Sequence, residues 1–269
     1  MWEAVNPLGT LYNPASIMKA IEIMCDIEYG VKEFKESLFF ANGLWNSWWF
    51  DSGFSAILKE DCITEFQLRQ QQFLETLRKG NTLIVTFGTS IVYFKTENNQ
   101  PVGTCHKQPA SNFYRRRLSV QEIVDSWNQL LGSLQLQFPG LNVIFTVSPV
   151  RHLKDGFEGN ARSKAILLLA LEEIIKENPQ CFYFPAFEIL NDDLRDYRFY
   201  ASDFTHPSEE AIEYIWQKFL ETFVNPQGLQ MLSEGAHTFK AQNHRPKTGA
   251  LGKPLKEKGC HPEGCNPFS

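Results

Sequence analysis

The sequence has no long apolar run. Its longest, Ala165 to Leu171, falls far short of the roughly 20 residues that cross a bilayer, which excludes a membrane-spanning helix. It also has no excess of positive charge. A net charge of −5 and a pI near 5.7 leave no broad basic surface for phosphate backbones, so no nucleic-acid partner is expected. Arg115-Arg116-Arg117 is the one notable basic run, and it reads as a solvated or salt-bridged face. Residues Met1 to Pro7 carry neither a basic n-region nor an apolar h-region, so no secretory signal is visible and a cytoplasmic location is expected, on the premise that Met1 is the true start. Cysteine is sparse. The six, at positions 25, 62, 105, 181, 260 and 265, suit reduced thiols better than a disulfide framework. Cys260-His261-Pro262-Glu263-Gly264-Cys265 offers metal-ligand residue types without a second ligand pair at a recognised spacing, and no metal or cofactor is expected. Internal repeats and low-complexity blocks are absent as well.

What is present is core material: 43% of the residues are hydrophobic and 13% aromatic, in a chain long enough for one substantial domain or two small ones. Helical and strand-like patterns alternate, which favours an α/β fold with a parallel sheet. Pro14 to Ile27 places Ile17, Ala20, Ile21 and Met24 at helical spacing, and Ile63 to Leu77 does the same with Phe66, Phe73, Leu74 and Leu77. Thr82 to Phe87 and Asn142 to Val147 read as buried strands, each running into a polar loop. Ser119 with Glu122 fits a capping box for a helix to about Phe138, and a long helix is expected from Gly159 to Glu177. Cys181 to Phe184 reads as a further strand, and a last helix from His206 to about Phe223. The expected domain spans 1–240. Residues 241–269 turn to Lys, Gly, Pro and Asn, a composition expected to be disordered.

In an open α/β sheet, ligands sit beyond the carboxyl ends of the strands. The segments Gly88-Thr89-Ser90, Ser148 to His152 and Asp203 to His206 are therefore expected at one rim. Asp203 stands three residues before His206, with Pro207 and the acidic pair Glu209 and Glu210 next, the appearance of a carboxylate and an imidazole at a helix entrance. The same segment also reads as an ordinary helix cap. Trp45, Trp48, Trp49 and Phe50 form an aromatic cluster, expected to be core for at least half of it, with the rest free to line an acyl or glycan pocket.

Several blocks taken in order resemble a known family. They are Asn6 to Pro14, Thr86 to Thr89, Cys105-His106-Lys107, Arg116 to Ser119, Ser148 to Gly156, Asp196 to Tyr200 and Asp203 to Ser208, with His244-Arg245-Pro246 as a further remnant. Together they look like the bacterial GSCFA-domain proteins, which are similar to SGNH (GDSL-type) hydrolases. The resemblance runs from about residue 5 to about residue 224. It implies a three-layer flavodoxin-like parallel sheet and an ester-hydrolase or acyl-transfer site acting on a small-molecule or glycan ester. In that scheme His206 is general base and then acid, and Asp203 orients it. Gly9 matches the block that donates a backbone N–H to the oxyanion. Gly88 and Thr89 stand where SGNH enzymes commonly present Gly-x-Asn; with no Asn here, Thr89 is the candidate. Arg151, His106 and His152 are candidates for the pocket lining.

The sequence departs from the family at its start. The Gly-Ser-Cys-Phe-Ala segment that gives the family its nucleophilic serine is not in it, since the first matching block is Asn6-Pro7. The expectation is a sheet missing its first strand and helix, and a serine esterase or acyltransferase that is incomplete or inactive as this chain stands. The alternative is a non-catalytic ligand-binding module or a decaying remnant of the fold. Ser90 and Ser148 are the substitute nucleophiles the strand ends offer, although a strand-end serine is more often a turn residue. Cys105 beside His106 reads as a small buried thiol rather than a catalytic pair. Oligomeric state is left open.

Overall fold

The computed structural model describes residues 6, 7, 9–26 and 29–232. The tail expected at 241–269, with Cys260 to Cys265 and His244 to Pro246, lies outside them. In chain order the elements are α1 (Pro14–Cys25), α2 (Gly30–Glu36), β1 (Leu38–Ala41), β2 (Leu44–Ser47), α3 (Lys59–Lys79), β3 (Thr82–Phe87), β4 (Ile91–Lys95), β5 (Pro101–Val102), β6 (Phe113–Arg117), α4 (Val120–Gln137), β7 (Asn142–Val147), α5 (Gly156–Glu177), β8 (Cys181–Phe184), the short α6 (Ala186–Glu188) and α7 (Glu209–Phe223). The chain divides into one unit ending at Phe219 and a second beginning at Leu220. Within the second, Asn225 opens a short helical stretch by accepting the Gly228 N–H on Oδ1. Among the described residues no helix is long and apolar enough to cross a membrane.

The fold is α/β: a parallel sheet in the order β3-β7-β8, flanked by helices in the manner of a flavodoxin-like three-layer fold. The register pairs Val85 with Phe145 and Phe87 with Val147, so these four side chains share one face. Trp127 of α4 fills that face, with ring centroids 5.0 Å from Phe87 and 5.2 Å from Phe145. Its indole N–H reaches the Pro14 carbonyl at 3.2 Å, which joins the start of α1 to the same layer. Leu167, Leu171 and Ile174 of α5 are buried in this core. The opposite face carries Phe184, met edge-on by Phe219 of α7 at 5.1 Å.

Local chemistry explains the element ends. Asn13 Oδ1 accepts the Ser16 N–H, and Pro14 sits where its missing N–H is harmless, so α1 starts there. Ser119 and Glu122 form the expected reciprocal capping box, and Arg116 grips the same carboxylate through two nitrogens. Arg115 pairs with Asp155 at 2.5 Å, so two of the three arginines of the basic run are salt-bridged. One boundary needs correction. The last helix begins at Glu209, not at His206, because Pro207 bridges to Tyr200, the Ser208 N–H goes to Phe199 O, and Ser208 Oγ then caps the helix by accepting from Ala211.

Two further parts have no counterpart in the sequence reading. The hairpin β1-β2 and the antiparallel sheet β5-β4-β6 both lie outside the parallel sheet. Trp49 and Phe50 are core, Phe50 packing with Phe34, Phe54 and Phe66, while Trp45 and Trp48 are only half-buried. Trp48 stacks on Phe39 at 3.6 Å.

Trp127 is the side chain on which both the sheet face and α1 close. Trp127→Ala is expected to cost about 3–5 kcal/mol of unfolding free energy by chemical denaturation, and Leu136→Ala, on the exposed side of α4, less than about 0.5 kcal/mol. Similar costs for the two would show that α4 does not pack as described.

Candidate active site

The rim is built where β3 and β7 end. Past Phe87 and Val147 the sheet no longer pairs the chain, and the carbonyls of Gly88 and Ser148 need other donors. Lys164 of α5 supplies both, its Nζ lying 2.6 Å from each oxygen. Lys164 is 1% exposed and lies near the Phe187 ring at 5.9 Å. Burial lowers its pKa to about 7. The residue before it, Ser163, fixes the same turn: its Oγ accepts from Ser90 N at 2.7 Å and bonds the hydroxyls of Ser90 and Thr89 at 3.1 and 3.0 Å. Ser90 is fully buried within this network, which removes it from contact with a substrate.

The second loop carries Arg151 and His152. The His152 N–H is held by Asn160 Oδ1, and its ring meets Tyr12 edge-on at 5.8 Å. A β-carbon on Gly88 would come within 3.1 Å of His152 Nε2 and 3.0 Å of the Tyr12 carbonyl, so glycine is what allows this approach. Burial, then the charges of Lys164 and His206, lower the His152 pKa against the opposing pull of Asp155. Arg151 ties this loop to the third: its N–H goes to Thr205 O at 3.2 Å, its Nη1 to Phe204 O at 3.0 Å, and its guanidinium lies 4.0 Å over the Tyr200 ring.

The third loop holds Asp203 and His206. Asp203 Oδ1 accepts the N–H groups of Thr205 at 2.8 Å and His206 at 3.0 Å, and Oδ2 lies 2.6 Å from His206 Nδ1. The two backbone bonds and the imidazole hold the Asp203 carboxyl well below the usual carboxylate range. The ionised carboxylate fixes the tautomer: Nδ1 carries the proton and Nε2 is left as the base. Both side chains are open to solvent, at 61% for His206 and 49% for Asp203. Among the described residues nothing hydrogen-bonds His206 Nε2, and no serine hydroxyl does.

The other candidate residues fall differently. Gly9 lies at φ +78 against the Asp51 carboxylate, and its N–H is engaged by Asn6 O at 2.9 Å. The N–H groups of Gly88 and Thr89 both donate to the Tyr12 carbonyl, at 2.7 and 3.0 Å. Ser148 Oγ accepts from Val150 N in a local turn. His106 is a brace, with Nε2 at 2.7 Å from Ser47 O and 3.1 Å from Phe50 O, and burial lowers its pKa so that it stays neutral. Cys105 beside it is half-buried, its thiol raised by that burial. The sequence reading did not find Lys164, Ser163 or Tyr12. The signal was there for Lys164: it occupies a position of the buried stripe that continues through Leu167, Leu171 and Ile174.

The Asp203–His206 pair lies in a loop of an α/β fold whose parallel sheet is the kind that binds ligands beyond its carboxyl strand ends. This chain belongs to the GSCFA family, whose model matches residues 1–219. No curated protein and no solved structure matches it significantly.

Lys164 gives the site a measurable pH signature. Its folded value of about 7 lies below the ordinary ~10.4, so the unfolded chain binds the extra proton between those limits and this residue's contribution to stability rises with pH across that window. Cys25 and Cys181, pushed up to about 12 by burial, contribute the opposite slope above their ordinary ~8.5. The test is therefore the difference between parent and Lys164→Met denaturation curves from pH 7 to 10. The parent is expected to gain relative to the variant as pH rises, and a flat difference would show that Lys164 is not buried as described.

Proposed function

We propose that this chain is of the SGNH-like serine ester hydrolase or acyltransferase type, with His206 as general base and acid and Asp203 as its orienting partner. The carrying observation is the 2.6 Å contact of His206 Nδ1 with an Asp203 carboxylate that two backbone N–H groups keep ionised, with Nε2 open to the solvent. A free Nε2 next to an oriented Nδ1–H is what abstraction of a hydroxyl proton requires. The serine comes from outside the described residues in this reading: Ser90 is buried, and Ser148 is bonded within its own turn. After attack on the ester carbonyl, His206 returns the proton to the leaving alkoxide, and water or an acceptor alcohol resolves the acyl-enzyme. Arg151 fixes the loop by its bond to Phe204 O, and His152 lines the rim beside Gly88. The substrate in this reading is a small-molecule or glycan ester, the domain covers 1–240, and the setting is cytoplasmic, in keeping with free thiols at Cys25, Cys62, Cys105 and Cys181.

One observation favours a second reading, a non-catalytic binding module or decaying remnant. The three candidate oxyanion donors are already engaged, Gly9 by Asn6 O and both Gly88 and Thr89 by Tyr12 O, so an oxyanion would have to displace a backbone carbonyl.

Turnover of p-nitrophenyl acetate by the protein from its source cells separates the two. The hydrolase reading expects His206→Ala to lose at least about 10³-fold in kcat/KM and Asp203→Asn about 10⁴-fold, because the amide reverses the tautomer. Measurable turnover unchanged by either substitution would reject the mechanism, and no turnover in the parent would favour the binding module.

A further inference from the structure

Phe204, two residues before His206, stands at φ +57, in the left-handed region that glycine and asparagine enter far more readily than a bulky aromatic. The surroundings impose that conformation: the Phe204 N–H is bonded to Ala201 O, its carbonyl receives Arg151 Nη1, and the N–H groups of Thr205 and His206 both go to Asp203 Oδ1. The ring gains little by burial in exchange, being 57% exposed. For the fold alone, glycine would serve better here, so the use of this side chain lies outside the fold. Its one aromatic partner among the described residues is Tyr197, itself 62% exposed, with centroids 5.8 Å apart and planes at 79°. Two open rings at nearly a right angle make a corner with two apolar walls. Tyr200, buried and capped by the Arg151 guanidinium, packs behind Tyr197 at 5.9 Å.

We propose that Phe204 and Tyr197 form an apolar corner beside His206 that receives the acyl chain of the ester, making them specificity-determining residues of the site. The proposal rests on the ester-hydrolase reading for what the ligand is. A flat pair of rings would suit the face of a sugar, whereas perpendicular walls enclose a chain. Beside the corner, Asp203 is bonded to the N–H groups of Thr205 and His206, Asp196 to the Arg198 N–H and Arg151 Nη1 to Phe204 O, and the Arg151 guanidinium lies 5.6 Å from the Tyr197 ring centroid. The exposed ring faces themselves are apolar surface, which an alkyl chain covers without needing a hydrogen bond. Phe204 belongs to the same turn as His206, two residues before it, so a chain lying against its ring lies beside the imidazole's turn.

The test reads binding without turnover, in the full chain carrying His206→Ala, so that its failure is distinct from failure of the hydrolase reading. Methyl hexanoate and methyl acetate are titrated while the ring resonances of Phe204 and Tyr197 are followed by NMR. The expected result is binding of the hexanoate about tenfold tighter than the acetate, with shifts at both rings. Phe204→Gly should abolish that preference with an unchanged or higher melting temperature, since it removes the wall and relieves the backbone together. Phe204→Leu should keep part of the preference. Should Phe204→Gly lower the melting temperature, Tyr197→Ser reads the other wall and should also lose the preference. Equal affinities for the two esters, shifts confined to other residues, or a preference that survives both Phe204→Gly and Tyr197→Ser would overturn the proposal.

Discussion

The carbonyl oxygens of Gly88 and Ser148 share one donor, Lys164 Nζ, at 2.6 Å each, and the arrangement of the rim follows from it. Parallel strands leave their last carbonyls without ladder partners, and burying such groups unpaired is costly. A lysine from α5 satisfies both at once, with no carboxylate among the described residues paired to it, and burial brings its pKa down to about 7. Ser163, its neighbour on α5, locks Thr89 and Ser90 at the same time. With the first two loops held to one helix, His152 is laid over Gly88, and Arg151 carries the constraint on to the backbone of Phe204 and Thr205. The Asp203–His206 pair is thus positioned by a chain of backbone contacts that begins at α5.

That chain leaves the rim uneven. At His206, no described residue hydrogen-bonds Nε2, and the side chain is 61% exposed. On the side where an oxyanion would sit, the Tyr12 carbonyl already occupies the N–H groups of Gly88 and Thr89. The sheet is uneven in the same way. Among the described residues β3 is an edge strand, and on the face opposite Trp127 it carries Ile84 at 37% exposure. An open edge with an apolar side chain is a template for another strand.

Much of the fold was legible because its signals were local. The stripe of Ile17, Ala20, Ile21 and Met24, the Ser119–Glu122 capping box, and the β-branched runs of β3 and β7 each report on their own segment. The convergence of three loops followed from the topology of parallel sheets. What could not be read was set by distant contacts. Pro207 looked like a first helical residue until its bridge to Tyr200 placed it before the helix. Gly9 looked like an oxyanion donor, while its N–H lies in a turn closed by Asn6 and its Cα against Asp51. His106, conspicuous beside Cys105, braces Ser47 and Phe50 nearly sixty residues away in the chain. Lys164 stood inside an apolar stripe, where a charged residue is itself a sign of a buried polar role, and its partners were visible only once two strands ended side by side.

In the proposed hydrolase reading, Asp203 and His206 serve a serine that is none of those described. The most direct measurement is covalent labelling of the protein from its source cells with a fluorophosphonate, read by intact mass and by mapping the labelled peptide. The account predicts a single adduct, on a serine outside residues 6–232, that disappears in His206→Ala. An adduct on Ser90 or Ser148, or no adduct at all in a folded protein, would contradict it.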